Sequence, residues 1–236
     1  MKDVFSMRMY DITNQIPPCN YSASRDGYKP CAIALHITGD SMPHQATSWF
    51  KDKRSGVSAH YVIEKDGTAY ICVYPQFKAY HCGIINHPTA KIYFDKGGVN
   101  PNLYTIGIEC VSSGEQLTIY QFTSLQQLIS DLCNAYSIPL DRYHIIGHNE
   151  LDSINRHFDP IASYQVELVI PKVEKESDKM FKDVDKIAEY AKVAVDNLEK
   201  LGIVHGDTDG NFNPLENITR QDMAVIVNNL LKVKSL

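Results

Sequence analysis

Three short, continuous apolar segments constrain the fold of this chain more than any other feature. They are CAIALHI (31–37), YTIGIECV (104–111) and HIIGH (144–148). A strand with one face in water alternates polar and apolar residues, whereas a strand covered on both faces is apolar throughout. The three segments therefore predict buried strands of a sheet that is covered by other elements.

Two helices and a hairpin are predicted around these strands. Residues 43–51 and 123–136 are predicted helices, and Ser41 and Thr123 are their predicted N-caps. The segment 58–73 predicts two strands joined by a tight Asp-Gly turn. This alternation of elements predicts an α/β fold with a mixed central sheet flanked by helices.

The composition changes towards the C-terminus, which predicts two domains. Residues 1–168 are predicted to form the larger domain. Residues 169–180 are rich in lysine and glutamate and are predicted to be a linker. Residues 181–236 are predicted to form a small helical module, with amphipathic helices at 186–201 and 218–232.

Charge and composition narrow the classes of function. The 236 residues carry a net charge of −5, and nucleic-acid binding favours a basic patch, so no nucleic-acid partner is expected. The chain shows no apolar run that could span a membrane and no apolar core of a signal peptide, so no membrane insertion is expected. We therefore expect a protein made and held in a cytoplasm. The six cysteines are expected to be reduced and mostly buried; they are Cys19, Cys31, Cys72, Cys82, Cys110 and Cys133.

Two histidines and one aspartate occupy positions that suit a metal site. His36 and His148 each end a buried strand, and Asp159 follows in a loop before a proline. Two imidazoles and one carboxylate leave a fourth zinc position open for water, as in hydrolytic zinc sites. The spacing alone also allows a structural alternative, in which both histidines are hydrogen-bonded residues near strand ends.

Six motifs occur in one order along the chain. They are ALHITG (34–39), SAHYVIEKDG (58–67), YHCG (80–83), TIGIEC (105–110), IIGHNEL (145–151) and HFDP (157–160). Together they resemble the zinc-dependent N-acetylmuramoyl-L-alanine amidase family, which includes phage endolysins, bacterial amidases and peptidoglycan recognition proteins. The resemblance implies the fold of that family, Zn²⁺ as cofactor, and hydrolysis of the amide bond between N-acetylmuramic acid and L-alanine in bacterial peptidoglycan.

The resemblance also implies roles for single residues. The zinc ligands of the family match His36, His148 and Asp159. Glu109 matches a glutamate that acts as the catalytic base in family members, with a structural strand-end carboxylate as the alternative. Many members carry a lysine two residues before the third ligand, where it stabilises the oxyanion. This chain has His157 there, and we expect its imidazole to do the same more weakly, with a plain surface residue as the alternative.

Roles can also be predicted for two further histidines and for the single tryptophan. His81 matches a family histidine on the wall of the cleft, where it could contact substrate. His60 lies among apolar neighbours on a hairpin strand and is expected to be structural. Trp49 is expected in the core rather than as a platform for sugars.

The C-terminal residues resemble a second family. The elements FKDV, AVDNLEKLGIV, GDTDGNFNP and ITRQD are similar to one S-layer homology motif, whose family binds anionic secondary polymers of Gram-positive walls. The resemblance implies that Arg220, Asp209 and Tyr190 bind wall polymer, with Tyr190 replacing the family tryptophan. Such motifs normally occur in threes, so a single copy is expected to form a homo-oligomer or to pack on the catalytic domain. A helical appendage without binding function is the alternative.

The motifs and the composition together predict one function and leave two alternatives. We expect an endolysin of Gram-positive walls that is made in the host cytoplasm without a signal peptide and reaches the wall after holin-type release. The alternatives are a cytoplasmic amidase that recycles muropeptides and a non-catalytic peptidoglycan-recognition module. A wall-binding module argues against recycling, because soluble fragments need no anchor. The retention of three metal ligands argues against pure recognition.

Overall fold

The chain divides into two compact units. One unit is Met7–Pro171, and the other contains Lys172–Leu236. The computed structural model describes four parts of the chain: residues 9–11, 20–170, 181–200 and 202–233. Most of the predicted linker lies outside the described residues, so the predicted domain boundaries stay predictions.

A six-stranded mixed sheet forms the centre of the first unit. In spatial order its strands are β1 (Met9–Asp11), β5 (Ala69–Ile71), β4 (Tyr61–Ile63), β7 (Thr105–Cys110), β3 (Ala32–Ile37) and β8 (Ile145–Gly147). All neighbours run parallel except β4 and β5, which form the predicted antiparallel hairpin. Outside this sheet, β2 (Tyr21–Ser22) pairs with β6 (Lys78–Ala79). The three predicted buried strands and the mixed α/β fold are confirmed.

In the described part of the first unit, four α-helices flank the sheet. They are α1 (Gln45–Lys51), α2 (Lys91–Asp95), α3 (Ile119–Tyr136) and α4 (Val166–Val169). Helix α3 begins earlier than predicted, because the Thr118 side chain accepts from the Gln121 N–H while the Gln121 side chain accepts from the Thr118 N–H. This capping box satisfies the free amides of the first turn. The prediction of Thr123 as N-cap was therefore wrong.

The start of α1 also differs from its prediction. Its N-cap is His44, which is in the left-handed conformation and makes no side-chain cap. The Ser41 hydroxyl bonds to Ser113 and Glu115 instead. Ser41 was therefore wrongly predicted as the cap, because a distant partner competes for its hydroxyl.

Strands β3 and β7 direct alternate side chains to opposite faces of the sheet. Leu35 and Ile108 are buried with the apolar side of α3 in the main core. The register of the parallel pair sets His36 opposite Glu109, and alternation directs both to the other face. Both lie near the carboxyl end of their strand, the edge at which parallel sheets form ligand sites.

The second unit is built on two helices, α5 (Glu189–Lys200) and α6 (Arg220–Val233). Both predicted helices are confirmed, with shifted ends. The Thr219 hydroxyl accepts from the Asp222 N–H and so satisfies one free amide at the start of α6. Phe181, Ile187 and Val195 are buried in a small core of this unit.

Two aspartates that the sequence analysis did not single out hold the loop 206–214. The Asp183 carboxylate accepts from the N–H groups of Phe212 and Asn213. The Asp207 carboxylate accepts from two further loop amides. These bonds fix the loop from within the unit and satisfy its backbone donors.

The cysteines and the apolar character of the helices can be compared with what the sequence predicts. The five described cysteines are free thiols, and all but Cys31 are buried; Cys19 lies outside the described residues. Among the helices in the described parts of the chain, none has the length and apolar character needed to cross a bilayer.

Candidate metal centre and active site

Three residues meet at the carboxyl edge of the sheet. His36 lies in β3, His148 directly follows β8, and Asp159 precedes Pro160 in a loop. One ligand atom from each lies within 4.8 Å of the other two. His36 Nδ1 and His148 Nδ1 are 3.0 Å apart, and Asp159 Oδ2 is 2.9 Å from His148 Nδ1. The three residues proposed from sequence as metal ligands are thus neighbours in space.

Outer hydrogen bonds orient the two imidazoles. His148 Nε2 donates to the carbonyl of Cys82 at 3.1 Å, which leaves the lone pair of Nδ1 facing His36. His36 Nε2 lies 3.0 Å from His81 Nδ1. Burial, followed by the neighbouring His148, lowers the pKa of His36 well below its ordinary value, so the ring is neutral. A neutral His36 that donates from Nε2 also keeps its Nδ1 lone pair for a metal.

His81 connects His36 to the backbone behind it. The Thr105 hydroxyl donates to the Pro101 carbonyl at 2.7 Å, so its oxygen can accept from His81 Nε2 at 3.3 Å. His81 Nδ1 then accepts from His36 Nε2. Each group in this relay thus donates one hydrogen bond to the next group. The relay fixes the tautomer of His36, with its proton on Nε2.

A glycine and an asparagine hold His81 in place. A Cβ atom on Gly107 would fall inside the van der Waals radius of the His81 ring. Asn102 Oδ1 accepts from the N–H groups of His81 and Cys82. Neither residue was predicted from the sequence. A glycine in the interior of a buried strand was the available signal, because it marks a close approach.

The geometry of the three candidate ligands fits a cation. The Ile37 N–H donates to Asp159 Oδ1 at 2.7 Å, which leaves Oδ2 turned towards the histidines. Three atoms with lone pairs therefore converge with no hydrogen between them, and such an arrangement is repulsive unless a cation lies among them. Two imidazole nitrogens and one carboxylate oxygen form a donor set that zinc prefers.

Glu109 lies beside this cluster with a free oxygen. Its Oε2 is buried and has no hydrogen-bond partner among the described residues. Burial, followed by the Asp159 carboxylate, raises the pKa of Glu109 well above its ordinary value. A carboxylate with a raised pKa and an unpaired oxygen is suited to take up a proton and release it.

A groove of about 870 Å³ contains these groups and one unexpected aromatic side chain. The groove is lined by His81, Glu109, His148 and Asp159, and Trp49 of α1 also lines it. Trp49 is 53% exposed, so the expectation that it belongs to the core was wrong. Helix α1 buries the face that carries Ala46 and Phe50. Trp49 directly precedes Phe50, and because successive residues of an α-helix are rotated by about 100°, its side chain points away from that face.

The structure does not bring His157 into this set. His157 is exposed and is absent from the described residues that line the groove. Its Nδ1 lies 3.1 Å from the Ile154 carbonyl, and its ring rests against Phe158. The preceding residue, Arg156, lines the groove instead.

His60 and Arg25 form a buried network behind the site. His60 Nδ1 accepts from the Gly107 N–H at 2.8 Å, and Nε2 donates to the Phe77 carbonyl at 3.1 Å. Arg25 Nη2 lies 2.8 Å from His60 Nε2. Burial, followed by the positive charge of Arg25, lowers the pKa of His60 to about 3. These contacts agree with the expected structural role of His60.

The three residues proposed for wall binding are surface groups of the second unit. Tyr190 is 70% exposed, and Asp209 and Arg220 are exposed as well. Arg220 is the first residue of α6, where the amides at a helix start favour anions.

Comparison with known families bears on both units. The family described as N-acetylmuramoyl-L-alanine amidase matches residues 26–162, more than half of the chain. The chain belongs to the N-acetylmuramoyl-L-alanine amidase family. The description S-layer homology domain matches residues 181–224, so this amidase-family chain carries such a domain at its C-terminus.

Two curated relatives are similar to different parts of this amidase-family chain. The 1,6-anhydro-N-acetylmuramyl-L-alanine amidase AmpD of Haemophilus influenzae is 36% identical over 106 residues, which are 44% of this chain and 52% of that protein. The surface-layer 125 kDa protein of Lysinibacillus sphaericus is 45% identical over 53 residues, which are 22% of this chain and 4% of that protein. The chain thus spans about half of the first relative and a small part of the second.

Two solved structures share the fold of the amidase domain. A selenomethionine derivative of AmpD has a TM-score of 0.54 at 19% identity, covering 72% of this chain and 96% of its own. The N-acetylmuramoyl-L-alanine amidase LysC from Clostridium intestinale has a TM-score of 0.51 at 21% identity, covering 70% and 95%. At these identities the likeness is one of fold.

Proposed function

We propose that this chain is a zinc-dependent amidase that hydrolyses the bond between N-acetylmuramic acid and L-alanine of the stem peptide in peptidoglycan. The observation that carries the proposal is the convergence of His36, His148 and Asp159 beside the unpaired buried oxygen of Glu109. A non-catalytic recognition protein would need neither the convergent ligands nor a free carboxylate.

The residues that would hold zinc are His36 and His148 through Nδ1 and Asp159 through Oδ2. When bound, zinc supplies a Lewis acid that acidifies water and polarises an amide carbonyl. The relay from His36 through His81 to Thr105 holds the first imidazole in the tautomer that ligation requires. The Cys82 carbonyl does the same for His148.

Glu109 carries the proton through the reaction. Its Oε2 takes a proton from the water that adds to the carbonyl carbon of the lactyl group. The carbon–nitrogen bond then breaks, and the same oxygen returns the proton to the departing amine of L-alanine. Glu109 Oε2 is open to a substrate proton because no described residue bonds to it, and burial raises the pKa of Glu109, which favours the protonated form that donates to the amine.

A digest of purified peptidoglycan tests this function. The wild type is expected to expose new L-alanine amino groups, and Glu109→Gln and His148→Ala are expected to reduce that rate by at least about 10²-fold. His87→Asn is the matched control, because His87 is exposed and outside the groove. Release of reducing sugars in place of amino groups would show that the chain cuts a glycosidic bond and would end the proposal.

The S-layer homology domain favours an enzyme of intact walls, which fits an endolysin of Gram-positive bacteria better than a muropeptide-recycling amidase. Such an enzyme is made in the host cytoplasm and reaches the wall after holin-type release. Expression in a Gram-positive host is expected to leave cells intact until a holin is co-expressed, which then causes lysis. Normal lysis kinetics without any membrane lesion would contradict this route.

The C-terminal domain is the proposed wall anchor, with Arg220, Asp209 and Tyr190 in contact with an anionic secondary polymer. A chain that ends at Pro171 is expected to retain turnover of soluble muropeptides and to lose activity on intact walls. Equal loss on both substrates would show that the tail is a structural part of the enzyme.

The same domain is proposed to associate with further copies of the chain. Helix α6 exposes several apolar side chains, including Met223, Val225, Val227 and Leu230, and exposed apolar surface of this kind favours association. Sedimentation of the full chain is expected to show an oligomer that Val227→Glu dissociates. A monomer at all concentrations would refute the association and leave the amidase proposal untouched.

A further inference from the structure

The oxyanion position lacks its expected partner, because His157 is turned out of the groove. Its Nδ1 is engaged with the Ile154 carbonyl, and its ring lies against Phe158. Amide hydrolysis moves an electron pair onto the carbonyl oxygen when water adds, and a preorganised positive group at that oxygen is worth a large part of the rate. Another cation of the groove must therefore reach the reacting carbonyl oxygen.

Arg156 is an exposed cation that lines the groove together with Glu109, His148 and Asp159. No hydrogen bond or ion pair engages its guanidinium within the described parts of the chain. It nevertheless acts electrostatically on both Glu109 and His36. An unpaired guanidinium among reacting groups is free to bind a substrate oxygen.

The backbone around Arg156 is fixed by hydrogen bonds. The Arg156 N–H donates to the Asp152 carbonyl at 3.0 Å, and its own carbonyl accepts from the Asp159 N–H at 2.9 Å. Asp152 is buried, and its carboxylate accepts from the N–H of Asn155 at 2.9 Å. The Arg156 backbone is therefore anchored to the same turn that presents Asp159, and both residues line the groove.

We propose that Arg156, and not His157, is the catalytic residue that stabilises the oxyanion of the scissile amide. This inference rests on the proposed amidase function. The oxygen of water bonds to the carbonyl carbon, and the electron pair of the carbonyl double bond moves to oxygen, which accepts hydrogen bonds from the guanidinium. The pair returns when the carbon–nitrogen bond breaks, and the amine leaves with the proton that Glu109 carries.

The test uses the full chain loaded with zinc and a soluble N-acetylmuramoyl-L-alanyl peptide. Arg156→Gln is expected to lower kcat by about 10²-fold with KM close to that of the wild type. Arg156→Lys is expected to keep part of the rate, because it retains the charge and loses the planar fork. His157→Gln is the matched control and is expected to keep kcat.

A second measurement separates this role from a structural one. A phosphinate analogue, in which a tetrahedral phosphorus replaces the scissile carbonyl, is expected to bind Arg156→Gln more weakly by about the same factor as the loss in kcat/KM. The zinc content and the melting temperature of the variant are expected to match the wild type.

Three results would overturn the inference while leaving the amidase function in place. They are a loss of kcat in His157→Gln, a rise in KM of Arg156→Gln at unchanged kcat, and loss of zinc from Arg156→Gln. The second result would mean that Arg156 binds a carboxylate of the stem peptide. A wild type that releases no L-alanine amino groups would overturn the function itself, and this inference with it.

Discussion

In the amidase domain His36, His81 and His148 are buried and are linked with Asp159 by short contacts, whereas in the C-terminal domain Tyr190, Asp209 and Arg220 stand exposed on the surface. The first arrangement orients ligands and protons in advance, which amide hydrolysis requires. The second can offer contacts to a long polymer without ordering a cavity. Substitutions in the first region should therefore change metal binding, stability and turnover together, whereas substitutions in the second should change wall binding alone.

The largest expected effect comes from the third candidate ligand. Asp159→Ala, or treatment of the wild type with a strong chelator, is expected to abolish turnover, because two imidazoles alone bind zinc weakly. Binding to purified walls through the C-terminal domain is expected to persist, as measured by co-sedimentation. Loss of wall binding in Asp159→Ala would erase the contrast between the two regions.

A smaller effect is expected from His81, which bonds to the candidate ligand His36. His81→Gln is expected to weaken zinc affinity by about 10–100-fold, because His36 loses the partner that fixes its tautomer. Competition with a fluorescent chelator measures the affinity without any substrate. Were His81 a substrate contact only, KM would rise and the zinc affinity would stay as it is in the wild type.

The buried network behind the site predicts a dependence of stability on pH. The folded-state pKa of His60 is about 3, below the ordinary value, so the unfolded chain binds a proton that the folded chain does not. The stabilisation is complete above about pH 6.5 and falls by about 1.4 kcal/mol per pH unit as the pH drops towards 3. His60→Gln is expected to be less stable than the wild type at pH 7. Between pH 6 and 4 its unfolding free energy, measured with denaturant, is expected to change with pH less steeply than that of the wild type, by about one proton. If the unfolding free energies of the variant and the wild type changed equally with pH, His60 would not take up a proton when the chain unfolds.

The smallest effect is expected in the exposed region. Arg220→Gln is expected to weaken wall binding by roughly tenfold, because a charge-assisted bond to an anionic group contributes about 1.5–3 kcal/mol at most. The unfolding free energy is expected to change by less than about 0.5 kcal/mol, as for other surface substitutions. A large loss of stability would show that Arg220 is structural and that the two regions are alike.

Much of the site was accessible from sequence because strands obey a strict period. The apolar run of β3 and that of β7 fixed which residues end each strand, and parallel pairing then sets His36 beside Glu109. The motif order supplied Asp159, which no periodicity could have found. The helices were harder at their ends, since the capping of α3 by Thr118 competes with an equally plausible Thr123.

Local pattern and motif order were enough to predict the families of both domains, the mixed sheet and the candidate ligands. Packing between distant segments leaves Trp49 exposed, bonds His81 to His36 and sets Arg156 rather than His157 in the groove. Adjacent residues of a turn point in different directions. Which of them faces a cleft depends on hydrogen bonds to distant backbone, and sequence neighbours carry no record of those partners.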